Sequence, residues 1–199
     1  MQLFRVALIL LMTASASALV IDFDTIDASA GPEIIAGDYA AQGVVFSFLA
    51  VHDVSNESFY TTGAGASEYS PDNVGRLSLN HPSMFETTIF FQHPVSGVDL
   101  AASSVTMTLL DPSVGSILAD ITAYNIAGMQ IYHQVFVTDP NQFEIVGIGG
   151  SINEIRIVSD IDGVDLDDLT IIGLPFIPEP AMAMMFILGS LLILKRNRA

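Results

Sequence analysis

Residues 117–137 read I-L-A-D-I-T-A-Y-N-I-A-G-M-Q-I-Y-H-Q-V-F-V, and the period of that stretch decides the fold. Ile117, Ala119, Ile121 and Ala123 fall on one side of an extended chain, while Asp120, Thr122 and Tyr124 fall on the other. That alternation follows from the strand itself, whose successive side chains point to opposite faces. Residues 125–128 supply the polar and glycine positions of a turn, and a second β-rich run follows over 129–137. Two such runs around a short turn predict an antiparallel hairpin.

The same texture extends outward in both directions. Between Leu19 and Leu174 no long segment repeats apolar residues at helical spacing; short β-rich runs recur instead, separated by Gly, Pro, Asn, Asp and Ser. The predicted strands are 20–24, 44–51, 74–79, 87–92, 105–110, 117–124, 129–137, 143–148, 152–158 and 166–172. Strands at this spacing predict an all-β domain, an antiparallel β-sandwich of jelly-roll type. The stretch 53–72 interrupts the pattern and predicts a loop carrying the aromatics Phe59, Tyr60 and Tyr69. No internal repeat points to a solenoid or propeller.

Composition narrows the function. The 199 residues carry a formal net charge of −16, and of six basic residues only Arg76 and Arg156 lie away from the two ends. Such a surface repels phosphate backbones, so no nucleic-acid partner is expected, and it attracts cations. With no cysteine there is no disulfide, thiolate chemistry or Cys-bound zinc.

The two ends read as export signals. Residues 1–18 combine the basic Arg5, an apolar run and the small residues Ala16-Ser17-Ala18, the pattern of a Sec signal peptide cleaved after an A-x-A site. Mature protein then begins at Leu19, with the Sec translocon and signal peptidase as partners. The other end, 175–199, has three parts: Pro178-Glu179-Pro180, the apolar run 181–194, and a basic end of Lys195, Arg196 and Arg198. The prolines hold their segment extended. At about 1.5 Å per residue the apolar run makes a helix of about 21 Å, short for a bilayer core of about 30 Å. It reads as a single transmembrane segment, with the basic end on the cytoplasmic side of the inner membrane.

Within the domain, Asp160, Asp162, Asp165, Asp167 and Asp168 form the densest acidic cluster. Carboxylates so close repel one another, and a hard cation taking oxygen ligands relieves this. The spacing is not that of an EF-hand. On a regular strand Asp165 and Asp167 share one face and Asp168 takes the other, so a common ion requires a bulge. His52, His81, His93 and His133 lack zinc-ligand spacing, and no G-x-S-x-G elbow is present. Two carboxylates suffice for glycoside hydrolysis, but nothing in the sequence selects a pair.

The tripartite tail resembles the PEP-CTERM sorting signal of Gram-negative bacteria, with Pro178, Glu179 and Pro180 as its motif. The resemblance covers about the last twenty residues. It implies recognition and processing by the membrane protease-transpeptidase exosortase, a passage through the inner membrane, and a final place at the cell surface or in the extracellular matrix. Ile21-Asp22-Phe23-Asp24, Y-A-A-Q-G-V-V-F over 39–46, the strand and turn of 118–128, and V-D-L-D-D-L over 164–169 more weakly resemble the β-sandwiches of PEP-CTERM proteins and carbohydrate-binding modules. In such modules a structural calcium ties the closing strand to the opening one; carried over, it implies Asp167 and Asp168 with Asp22 and Asp24 as ligands. The expected protein is a non-enzymatic, exported envelope or matrix protein of structural or adhesive role, associated with exopolysaccharide or biofilm. Its rivals are a surface-displayed carbohydrate-binding module, which would place extracellular polysaccharide among the partners, and a secreted polysaccharide hydrolase.

Overall fold

The computed structural model describes residues 18–54, 73–81, 84–111, 117–138, 142–159 and 164–174, all within one compact unit spanning 15–175. Those residues form twelve strands. They are β1 (Leu19–Ile21), β2 (Glu33–Ile35), β3 (Val44–Phe46), β4 (Leu49–Asp53), β5 (Asn73–His81), β6 (Met84–Phe91), β7 (Ala102–Asp111), β8 (Ile117–Tyr124), β9 (Gln130–Thr138), β10 (Gln142–Ile152), β11 (Glu154–Ser159) and β12 (Asp165–Ile172). One 3₁₀ turn, Ala40–Gln42, precedes β3. Among the described residues no helix is long and apolar enough to cross a membrane.

Every strand pairing is antiparallel. In one sheet β10, β7, β12 and β5 follow one another, with β4 and β2 beyond β5 and β1 alongside β12; in the other the order is β9, β8, β11, β6, with β3 beside β6. Strand β5 belongs to both, pairing with β4 and β12 through its first half and with β6 through its second. From β6 to β12 the chain crosses between the sheets at every connection except the β8–β9 hairpin, giving with β5 the orders β5-β12-β7-β10 and β6-β11-β8-β9 of a jelly roll, in which two Greek keys close around one core.

Alternation sets that core. Ala119, Ile121 and Ala123 of β8 are buried between the sheets, as are Val105, Met107 and Leu109 of β7 and Ile155 and Ile157 of β11. Phe23, Tyr39 and Phe46 pack against one another with ring centroids 6.0 to 6.3 Å apart, closing one part of the core. Burying each such side chain contributes about 1.5–3 kcal/mol. Gly75 faces this cluster, where a Cβ would sit 2.8 Å from Leu49 Cδ2 and 3.2 Å from Phe23 Cε2. The hairpin joining β8 to β9 is held by Asn125, whose Oδ1 accepts the N–H groups of Ala127 and Met129 at 3.0 Å, and Gly128 takes the left-handed conformation the turn requires, φ 71°.

Two expectations are corrected, and one strand is added. Residues 44–51 are two strands in different sheets rather than one, because the inward positions shift phase, from Val44 and Phe46 to Leu49 and Val51. Ser47 fixes the break: its N–H donates to Thr88 O at 2.9 Å and its Oγ accepts Thr88 N–H at 2.8 Å. The opening strand stops at Ile21 rather than continuing to 24, since Phe23 turns into the left-handed region at φ 63° to reach the core. Strand β2 was not anticipated, because three residues are too few to show a period.

Candidate functional site

The chemistry of the domain concentrates where its first and last strands meet. β1 lies antiparallel to β12, with Leu19 opposite Ile171 and Ile21 opposite Leu169. Just beyond β1 the chain turns at Phe23 and carries Asp22 and Asp24, both exposed, past the middle of β12. There β12 is irregular: its register against β7 shifts between Asp167 and Thr170, and Asp168 adopts φ 47°. This is the bulge that a shared site for Asp167 and Asp168 requires. A non-glycine residue in the left-handed region is strained by about 1–3 kcal/mol unless its surroundings over-determine it.

Asp167 is the anomalous group. It is 3% exposed, and its Oδ1 is buried with no hydrogen-bond partner. Burial is the main cause that pushes its carboxyl up to about 8; the backbone N–H of Asp168 opposes this, and the charges of Asp168, Asp24 and Asp22 add to it. Asp168 is also raised, first by burial and then by Asp22 and Asp24. All four carboxylates expected as a set therefore share one electrostatic field, two from the opening of the domain and two from its close. Among the described residues, no three His, Asp or Glu side chains form a metal cage as they stand. The donor set fits a hard cation in kind, with oxygen ligands and an uncompensated buried oxygen. Binding an ion would require the carboxylates to draw closer together.

Asp165 plays a different part. It is fully buried and receives both Nε and Nη2 of Arg76 at 2.7 Å, a bidentate pair across β12 and β5. It is committed to the fold rather than to the four-carboxylate cluster. Asp24 extends the acidic region sideways: its Oδ1 accepts Asn73 N–H at 3.0 Å, and Asn73 Nδ2 donates to Ile26 O at 2.8 Å. Beside it lies an open depression of about 340 Å³ lined by Asp24, Ile26, Asp27, Ala28, Ser29, Asp53 and Asn73. Nothing in the spacing of the sequence had joined Asp53 to this region.

The remaining site residues are distributed as follows. Ala18 is the first described residue and is exposed. Ala16, the motif Pro178, Glu179 and Pro180, the acidic Asp160 and Asp162, and the loop aromatics Phe59, Tyr60 and Tyr69 lie outside the described residues. His52, His93 and His133 are on separate elements; His133 Nε2 stands 3.1 Å from Asp120 Oδ1, a cross-strand pair on the outer face of the second sheet. The same outer face carries Arg156, bidentate to Glu86 at 2.7 and 3.1 Å. Next to that pair Phe90, Glu154 and Tyr124 stand side by side across β6, β11 and β8.

No protein-family model matches the chain, and no curated protein matches it. Among solved structures it is similar to an arabinose-bound α-L-arabinofuranosidase, at 11% identity and a TM-score of 0.47, over 80% of this chain and 28% of that one. The chain thus spans little more than a quarter of that enzyme's length. It is also similar to the family 11 carbohydrate-binding module from Clostridium thermocellum in complex with a mixed-linked tetrasaccharide, at 13% identity, TM-score 0.37, 80% of this chain and 98% of that one. A third is the K1 cleaved adhesin domain of Lys-gingipain from Porphyromonas gingivalis W83, at 12% identity, TM-score 0.37, 78% and 97%. These likenesses are distant, and no residue is carried across from them.

Proposed function

We propose that the chain is an exported, non-catalytic jelly-roll protein of the cell envelope or extracellular matrix, sorted by exosortase through its C-terminal tail and closed by a calcium ion between its first and last strands. The observation that carries the calcium site is the buried, unpartnered Oδ1 of Asp167 within reach of the field of Asp22, Asp24 and Asp168. An ion there would hold the end of the domain from which the tail departs. Bound calcium supplies positive charge and oxygen coordination; the four aspartates supply the donors. The tail supports sorting through its three parts, Pro178-Glu179-Pro180, the apolar run and the basic end.

A hydrolytic role fits less well. A glycosidase needs a raised carboxyl that touches its substrate, whereas Asp167, the strongly raised one among the described residues, is 3% exposed.

One observation favours carbohydrate binding as the domain's activity. The half-exposed rings of Phe90 and Tyr124 flank Glu154 on an outer sheet face whose polar groups are fixed by the Arg156–Glu86 pair. Rings and fixed charges together are what stack on and hydrogen-bond a pyranose.

Two experiments test these readings. Intact-mass analysis of envelope and culture fractions, with and without exosortase, should show an N-terminus at Leu19 and loss of the residues after the motif in the exosortase strain alone. Full-length tail on released protein in both strains refutes the sorting reading. Affinity electrophoresis in exopolysaccharide should show retardation that Tyr124→Ala abolishes; equal mobility of the two proteins removes the carbohydrate reading.

A further inference from the structure

The two sides of the sandwich end differently. On one side the outermost strands are β2 and β3, three residues each. Short edge strands offer little backbone to a passing chain, which is one way soluble proteins avoid edge-to-edge association. On the other side the outermost strands are β9, nine residues, and β10, eleven residues. Among the described residues, β9 pairs only with β8 and β10 only with β7.

Of these two long edges, β10 carries protective features. Its register breaks between Gly149 and Ile152, it holds three glycines, and Glu144 is exposed along it. β9 carries none in its main part. From Tyr132 to Thr138 its pairing with β8 is unbroken. It has no proline, and no Asp, Glu, Lys or Arg occurs between Asp120 and Asp139. Its outward valines are open, Val135 49% and Val137 65% exposed. In a chain of net charge −16 this is a β-branched and aromatic strip without a carboxylate of its own, the nearest being Asp120 of β8, which is paired with His133.

We infer that β9 is a self-pairing edge, by which two copies of this chain join antiparallel into one continuous sheet. The charge balance selects the occupant. Two molecules this acidic repel each other over most of their surface, so they meet best where neither carries charge. A cationic partner, by contrast, would be drawn elsewhere. An antiparallel contact between identical strands is isologous, and a twofold axis at Gln134 sets Tyr132 opposite Phe136 and His133 opposite Val135 of the second copy. Tyr132 and Phe136, both half-buried, then meet as aromatic cross-strand pairs of the kind that stabilise sheets. This pairing does not depend on the calcium or carbohydrate readings.

The absence of native cysteine makes the test clean. Residues opposite one another in an antiparallel pair have Cα atoms about 4.5–5.5 Å apart, within disulfide reach. Gln134→Cys protein expressed from the whole sequence and taken in its native envelope fraction, treated with a mild oxidant and run on a non-reducing gel, should form covalent dimer. Val95→Cys, 88% exposed in a turn far along the chain, serves as the collision control and should give at least about tenfold less dimer. Adding Val135→Lys to Gln134→Cys should abolish the cross-link, while far-UV circular dichroism confirms the fold. The inference is overturned if His133→Cys, Gln134→Cys and Val135→Cys all remain monomeric, or if Val95→Cys dimerises as readily as they do.

Discussion

Replacing Asp167 by Asn keeps the shape of the side chain and removes its charge. In the absence of divalent cation the wild-type carboxyl, raised from 3.8 to about 8, holds a proton at neutral pH that the unfolded chain would release. A group whose native pKa is raised in this way makes the native state bind more protons than the unfolded one. Stability therefore falls as pH rises from 3.8 to about 8 and is lowest above that range. Holding the proton at pH 7 costs about 4 kcal/mol, against about 2 kcal/mol at pH 5. In chelator Asp167→Asn should therefore be the more stable protein, by up to about 4 kcal/mol at pH 7, an increase in Tm of about 10 °C for a domain of this size. Calcium should narrow the gap to about 1 kcal/mol at pH 7, since a native-state ligand at a hundredfold excess over Kd adds about 2.7 kcal/mol to the wild type and far less to a variant whose Asn offers the ion no charge. Differential scanning fluorimetry across pH 5–9, in chelator and in millimolar calcium, measures both effects. An Asn variant less stable than wild type in chelator at every pH would refute the burial argument; an equal calcium response in the two proteins would refute the site.

Other perturbations test separate parts of the structure. Arg76→Ala leaves the buried Asp165 carboxylate without its bidentate partner, and should cost about 3–5 kcal/mol in urea unfolding, most of it recovered in Arg76→Met/Asp165→Leu. Gly75→Ala drives a methyl against Leu49 and Phe23 and should lower stability by about 1–3 kcal/mol, seen as a lower denaturation midpoint. Asn125→Ala removes the acceptor of two backbone N–H groups in the β8–β9 turn; amide exchange should quicken at Ala127 and Met129 while the β7 and β12 amides are unaffected. Glu179→Ala should leave unprocessed precursor in the inner membrane, whereas Phe186→Leu, which keeps the apolar run, should be processed normally; equal processing of both would remove Glu179 from the recognition motif.

The β8–β9 hairpin was legible because one face is buried and the other wet, so its period shows in the letters. Strand β4 could have been separated from β3 by the phase change at Ser47 and Phe48, a signal present in the sequence but only two residues long. The electrostatic coupling of Asp22 and Asp24 to Asp167 and Asp168 had no signal in local spacing, since no spacing rule joins residues so far apart along the chain. What placed them together is the pairing of β1 with β12, and what turned Asp168 is a bulge, which depends on tertiary packing rather than on local propensity. The role of Asp165 was illegible for the same reason: its partner Arg76 lies on a distant strand that becomes a neighbour only once the jelly roll is closed.

The position of β12 sets how the domain would bear a load. It runs through the interior of its sheet, between β7 on one side and β5 and β1 on the other. A pull transmitted along the chain beyond Ile172 is parallel to those ladders, so their hydrogen bonds resist together in shear instead of parting one after another as they would at a peeled edge. Held by its C-terminal end, as the proposed sorting would have it, the domain would be gripped through an interior strand supported on both sides.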